Sequence, residues 1–231
     1  MQSSAVFADI TSANVVGYKA EALKEGFTMV SPCFVNVADD SAGIDLTSLN
    51  VGGTYASNDI NIQTLTEIGT TDKSYIYTKD RKGNWMWKDV DEGTVISEGD
   101  VMFKTGTGLW VAGVDDATIT AAGAVSKSDV VIPLVDGFVA TGNMSPVAVD
   151  LTSIIPGGTY ASNDINIQTL TEIGTTDKSY IFTKDRKGNW MWKDVDEGTT
   201  IAEGDVIFEA GKGLWVGGVE GATITIPAPI F

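Results

Sequence analysis

Short runs of alternating or β-rich residues recur along the whole chain, each closed by Gly, Asn, Asp or Ser. In the first half they predict strands near Ala8–Tyr18, Thr28–Val37, Ile60–Glu67, Ser74–Thr78, Trp85–Val90, Asp100–Lys104 and Leu109–Val114. The second half repeats them. No segment sustains an apolar period of about 3.6 residues, and only Lys19–Lys24 reads as a helical turn. The pattern therefore predicts an all-β protein.

The strongest local signal is a hairpin. Tyr75–Asp80 is followed by Arg81-Lys82-Gly83-Asn84 and then by Trp85–Lys88. A loop of this kind containing Gly joins antiparallel strands. Taking all four residues as the loop would pair Asp80 with Trp85 and Thr78 with Trp87, and would set Tyr77 near Lys88. Strand alternation puts Trp85 and Trp87 on one face. In Gly106-Thr-Gly-Leu-Trp-Val111 the glycines predict a tight turn with positive φ. Leu109 and Val111 then face one way and Trp110 the other.

The same strings occur twice. Residues 52–94 return as residues 157–199, 105 positions later, with Tyr77 replaced by Phe182 as the one change. The match weakens but continues on both sides, and the first copy carries about six extra residues near Val37–Gly43. The chain thus reads as two tandem β-sandwich or barrel-like modules. An N-terminal strand or arm covers 1–12, module one 13–120, and module two with a C-terminal strand 121–231. A short β-type string punctuates them: Ala8-Asp-Ile-Thr11, Ala117-Thr-Ile-Thr120 and Ala222-Thr-Ile-Thr225.

Charge narrows the function classes. The net charge is −16 and only Arg81 and Arg186 are arginines, which disfavours nucleic acids and anionic membrane surfaces. No run of apolar residues is long enough for a membrane-spanning helix. Cys33 is the one cysteine, so no disulfide forms within the chain. It aligns with Met144 and reads as a buried thiol.

There is no histidine, which removes the commonest general base and the usual zinc ligand. No phosphate-binding glycine loop is present, and carboxylate pairs are the remaining catalytic option. The expectation is a non-enzymatic protein without an organic cofactor. Calcium is the metal that the acidic turns admit: Asp89, Asp91 and Glu92, with copies Asp194, Asp196 and Glu197, offer hard oxygens beside a glycine. The competing reading is a solvated turn. Trp85, Trp87, Trp190 and Trp192 are candidates for a glycan-binding platform, against core packing as the alternative.

A Gly-Phe strand (Gly26-Phe27), the Asp45-Leu-Thr segment, the Trp85-containing strand and the closing Gly-x-Gly-Leu-Trp-Val together resemble tandem β-modules of exported bacterial surface proteins. The resemblance spans most of each half. It implies export and a β-sandwich or barrel-like module, with no known catalytic residues. Val6-Phe7-Ala8 ends like a leader cleavage region, which implies that the leader itself is missing and that the protein is extracellular or at the cell surface.

The leading functional expectation is a subunit of a self-assembling fibre, sheath or surface layer. Ala8, Ile10 and Thr11 at one end and Ile224, Ile226, Ile230 and Phe231 at the other would join copies head to tail by β-strand addition. The partner would then be a second copy of the chain. The alternative is a carbohydrate- or matrix-binding adhesin with duplicated aromatic sites.

Overall fold

The structure is a computed structural model and describes residues 16–35, 43–67, 70–172 and 175–229. Module one contains β1 (Val16–Ala22), β2 (Gly26–Val30), β3 (Ile44–Asp45), β4 (Asn50–Gly53), β5 (Ile60–Glu67), β6 (Thr70–Lys79), β7 (Trp85–Asp89), β8 (Met102–Phe103), β9 (Leu109–Gly113) and β10 (Ala117–Ala124). Module two contains β11 (Val130–Pro133), β12 (Gly137–Gly142), β13 (Val149–Asp150), β14 (Ile155–Gly158), β15 (Ile165–Glu172), β16 (Thr175–Lys184), β17 (Trp190–Asp194), β18 (Ile207–Phe208), β19 (Gly213–Gly218) and β20 (Ala222–Ile226). The all-β reading holds. The segment that reads as a helical turn, Lys19–Lys24, instead lies largely within strand β1.

Each module has the same topology. A five-stranded antiparallel sheet runs β2-β9-β5-β6-β7 in module one and β12-β19-β15-β16-β17 in module two. A three-stranded sheet runs β1-β10-β4 and β11-β20-β14, and a short pair joins β3 to β8 and β13 to β18. The period-2 alternation sends Ile60, Ile62, Leu109 and Val111 of the larger sheet toward Ala117 and Ile119 of the smaller one. Ile165, Ile167, Leu214 and Val216 meet Ala222, Ile224 and Ile226 in module two. Each module therefore builds its own core from its own residues. Strand β10 pairs with β1 as far as Ala124, past the boundary at residue 120 read from the sequence.

The hairpin differs from expectation by one residue. Lys79 pairs with Trp85 and Tyr77 with Trp87. The Asp80 N–H donates to the Asn84 carbonyl at 2.9 Å, so Asn84 belongs to the ladder and only Arg81–Gly83 form the loop. Gly83 sits at φ +87, the left-handed residue that a loop of this length needs. The Asp80 Oδ1 accepts the N–H groups of Lys82 and Asn84 at 2.7 and 2.8 Å, which fixes the turn.

A second carboxylate ties each module's short segments together. Asp45 precedes a 3-10 turn at Leu46–Ser48, and its Oδ1 accepts the Thr47 N–H at 2.7 Å and the Thr47 hydroxyl at 2.6 Å. Its Oδ2 accepts the N–H of Gly99, 54 residues away. Asp150 repeats this with Thr152 and Gly204. Burial works against the charged form, but the hydrogen bonds from Thr47 and Gly99 outweigh it, so Asp45 titrates below its ordinary range; Asp150 does the same. A carboxyl whose folded pKa is depressed stabilises the fold when ionised. That contribution is full above the unfolded value of about 3.9 and is lost as pH falls through the lower folded value. Urea titrations between neutral and strongly acid pH should show a stability loss in this window. The loss should be visibly smaller in the double variant Asp45→Asn, Asp150→Asn, which should also be less stable at neutral pH.

Candidate functional site

The candidate aromatic platform divides into two environments. Trp87 and Trp192 face inward, 3% and 4% exposed, and belong to the cores. Their indole N–H groups are buried without a hydrogen-bond partner, so packing holds them. Trp85 and Trp190 lie at the hairpin end of the same face. Trp85 stacks on Tyr77 at 5.0 Å with an interplanar angle of 3°, touches Tyr55 at 4.9 Å, and carries the Lys79 ammonium 4.5 Å above its ring. Trp190 repeats this with Phe182, Tyr160 and Lys184. Replacing Tyr77 by Phe182 leaves the stack intact, so the hydroxyl is dispensable there. These indoles are engaged by the protein's own rings and ammonium groups.

The acidic turns are also occupied by their own backbone. Asp89 is 5% exposed, and its Oδ1 accepts the N–H groups of Asp91 and Glu92, both at 2.9 Å. Its Oδ2 lies 3.8 Å from the Lys73 Nζ, which donates to Glu92 at 3.1 Å. Asp194 does the same with Asp196, Glu197 and Lys178. The Glu92 carboxylate holds the Lys73 ammonium, with Asp89 adding to it, and raises its pKa. Asp91 and Glu92 thus meet Asp89 through amide hydrogens, with lysine beside the carboxylates. Among the described residues, no group of three or more acidic, Cys or His side chains gathers to hold a metal ion. In the described residues these carboxylates act as the caps of a turn.

Of the terminal assembly residues, Ala8, Ile10, Thr11, Ile230 and Phe231 lie outside the described residues. Ile224 and Ile226 are 0% and 1% exposed on β20, the central strand of its sheet. Both edges of β20 are paired, with β11 and with β14. These two residues are part of the module-two core, on a strand paired on both sides. Pro227 follows directly and has no N–H to extend the ladder.

What the repeat does build is a contact between the modules. Met29, Trp110 and Trp215 are buried together, with Phe27, Leu65, Phe138, Ala140 and Leu170 packed against them. Phe27 meets Trp110 edge to face at 6.1 Å. The alternation predicted from Leu109 and Val111 puts Trp110 on the opposite face, and that face is the junction. Backbones touch as well. Val30 bridges Lys212, the Ser31 N–H donates to the Gly211 carbonyl at 2.9 Å, and the Gly108 N–H donates to the Ala140 carbonyl at 2.9 Å.

The second glycine of each Gly-x-Gly makes this approach possible. A Cβ on Gly108 would fall 2.6 Å from the Thr141 nitrogen, and one on Gly213 would fall 2.5 Å from the Met29 carbonyl carbon. Gly108 and Gly213 are equivalent in the two copies, as are Ala140 and Met29. The contact is therefore reciprocal: each module places the same glycine against the same strand of the other, with pseudo-two-fold symmetry. Sequence reasoning assigned these glycines to a turn. The first, Gly106, does have φ +95, but the second is required by a neighbour that lies far away in the chain.

Comparison with protein-family models, with curated proteins and with solved structures gives no match.

The two tryptophan environments make separate predictions. Trp87→Ala or Trp192→Ala should cost about 3–5 kcal/mol each in urea unfolding, the range for emptying a packed aromatic site. Trp85→Ala should cost clearly less, because that side chain is only partly buried.

Proposed function

We propose that the chain is a non-enzymatic structural protein of the cell exterior, a subunit that self-assembles into a fibre, sheath or surface layer. The observation that carries this reading is how the repeated residues are used. Its acidic residues cap turns, its inner tryptophans fill cores, its outer tryptophans stack on neighbouring rings, and Gly108 with Trp110 docks one module on the other. Duplication has preserved a building block.

The block has edges to build with. Among the described residues, β1 and β4 are the outer strands of one three-stranded sheet, and β11 and β14 of the other. Unpaired N–H and C=O groups on such edges accept a strand from another copy. Apolar side chains stand exposed on the same strands: Tyr18 is 77% exposed, Val131 57% and Ile155 58%. Val131 and Ile155 flank Thr225 across one sheet and form a single apolar row. The reciprocal contact between modules closes on itself, so growth runs through these sheets instead. The acidic net charge of −16 keeps the free subunit soluble and suits export.

Sedimentation velocity and negative-stain electron microscopy over a concentration series test the reading, with and without calcium. The expected result is concentration-dependent polymer. The double variant Val131→Lys, Ile155→Lys should suppress it while leaving the circular dichroism spectrum unchanged. A wild-type chain that stays monomeric at every concentration would overturn the proposal.

A further inference from the structure

The two modules share nearly all their core, yet one of them is hollow. A cavity of about 50 Å³ lies inside module one, walled by Ile62, Phe103, Val111 and Ile119. Module two has the same walls in Ile167, Phe208, Val216 and Ile224. Nine of the remaining lining positions differ, and three of them do so in the direction that empties or opens the space. Ala121 stands where module two has Ile226, Cys33 where it has Met144, and Glu21 where it has Ile132. Lys19 stands where module two has Val130, and the buried Phe34, where module two has Ser145, adds bulk to another part of the wall without closing the space. Ile226, Met144 and Ile132 are 1%, 4% and 7% exposed, so module two fills this space with side chains.

The mouth is polar and neutral overall. The Lys19 Nζ donates to the Glu21 carboxylate at 2.6 Å, and the two side chains remain 29% and 33% exposed. Both belong to β1, two residues apart, and so lie on the same face of the strand, the one that lines the cavity. A charged pair over an apolar void is a local conflict of the kind that marks a site more often than a scaffold. Burial pushes the Cys33 thiol up to about 11, so at neutral pH it is an uncharged wall atom. Module two meets the mouth directly. A Cβ on its Gly211 would come 2.6 Å from the Lys19 Nζ and 2.9 Å from the Cys33 sulfur. Small-molecule sites favour such junctions between folded units.

We propose that module one carries a ligand pocket, absent from module two, for the aliphatic end of a small neutral amphiphile. The volume is about a third of that of a cavity known to take benzene, so it suits the last two or three carbons of a chain, about what Ile226 adds over Ala121. A hydroxyl head fits the mouth: it accepts from the Lys19 ammonium and donates to the Glu21 carboxylate. A charged head gains from one of the pair and is repelled by the other.

The full chain, methyl-labelled at Ile, Leu and Val, tests this by NMR titration with 1-propanol, and module two serves as the internal control. The expected result is saturable shifts at Ile62, Val111 and Ile119, with Ile167, Val216 and Ile224 unmoved. Ala121→Ile should weaken the binding at least tenfold. Cys33→Met, which rebuilds the module-two wall from the other side, should do likewise and covers the case where Ala121→Ile fails to fold. Shifts that grow without saturating, or that appear equally in both modules, would overturn the proposal. Shifts with xenon but none with 1-propanol would mean a dry packing void only and would overturn it equally.

Discussion

The arrangement of this molecule depends on one close backbone approach, made twice. Gly108 lies against the strand of Ala140, and Gly213 against the strand of Met29, with Trp110 and Trp215 between them. Any side chain at those glycines would push the modules apart. The buried tryptophans would then be exposed to water, at a cost that grows with the apolar area uncovered. Because both halves of the contact use equivalent residues, the tandem repeat folds as a dimer whose two subunits happen to be joined. That geometry changes what duplication implies. Tandem copies need not meet head to tail, and here the pair closes on itself.

Within each module, much of the charged and aromatic chemistry is directed inward to the fold. Asp45 joins a 3-10 turn to a distant loop, Asp80 sets a three-residue hairpin, and Asp89 caps the turn after β7. Each carboxylate satisfies backbone N–H groups that a tight turn would otherwise leave unpaired. The stability of a small β-module with short strands rests heavily on such caps. This accounts for why a strongly acidic chain repeats these particular carboxylates without change.

The strand pattern was legible because period-2 alternation and turn residues are local signals. The class, the duplication, the hairpin and the opposite facing of Leu109 and Trp110 follow from them. The hairpin register was missed by one residue, since the sequence does not say whether Asn84 closes the loop or opens the strand. The segment Lys19–Lys24 lacks a clear alternation because Lys19 and Glu21 occupy inward positions that are apolar in module two. The acidic turn has the spacing of hard-oxygen ligands, and spacing alone does not show that the Asp89 carboxylate accepts the turn's own amides. The module junction and the cavity were illegible in principle. Both are set by residues that are distant in the chain, and the cavity is visible only as what Ala121 lacks beside Ile226.

The central claim is that the face carrying Gly213 and Trp215 is self-complementary. Residues 125–231 contain the complete core of module two, so this module can be produced alone and its association state measured by sedimentation velocity. The account predicts a folded dimer that Gly213→Leu converts to a folded monomer. A wild-type module that is folded but monomeric at the highest attainable concentration would contradict it.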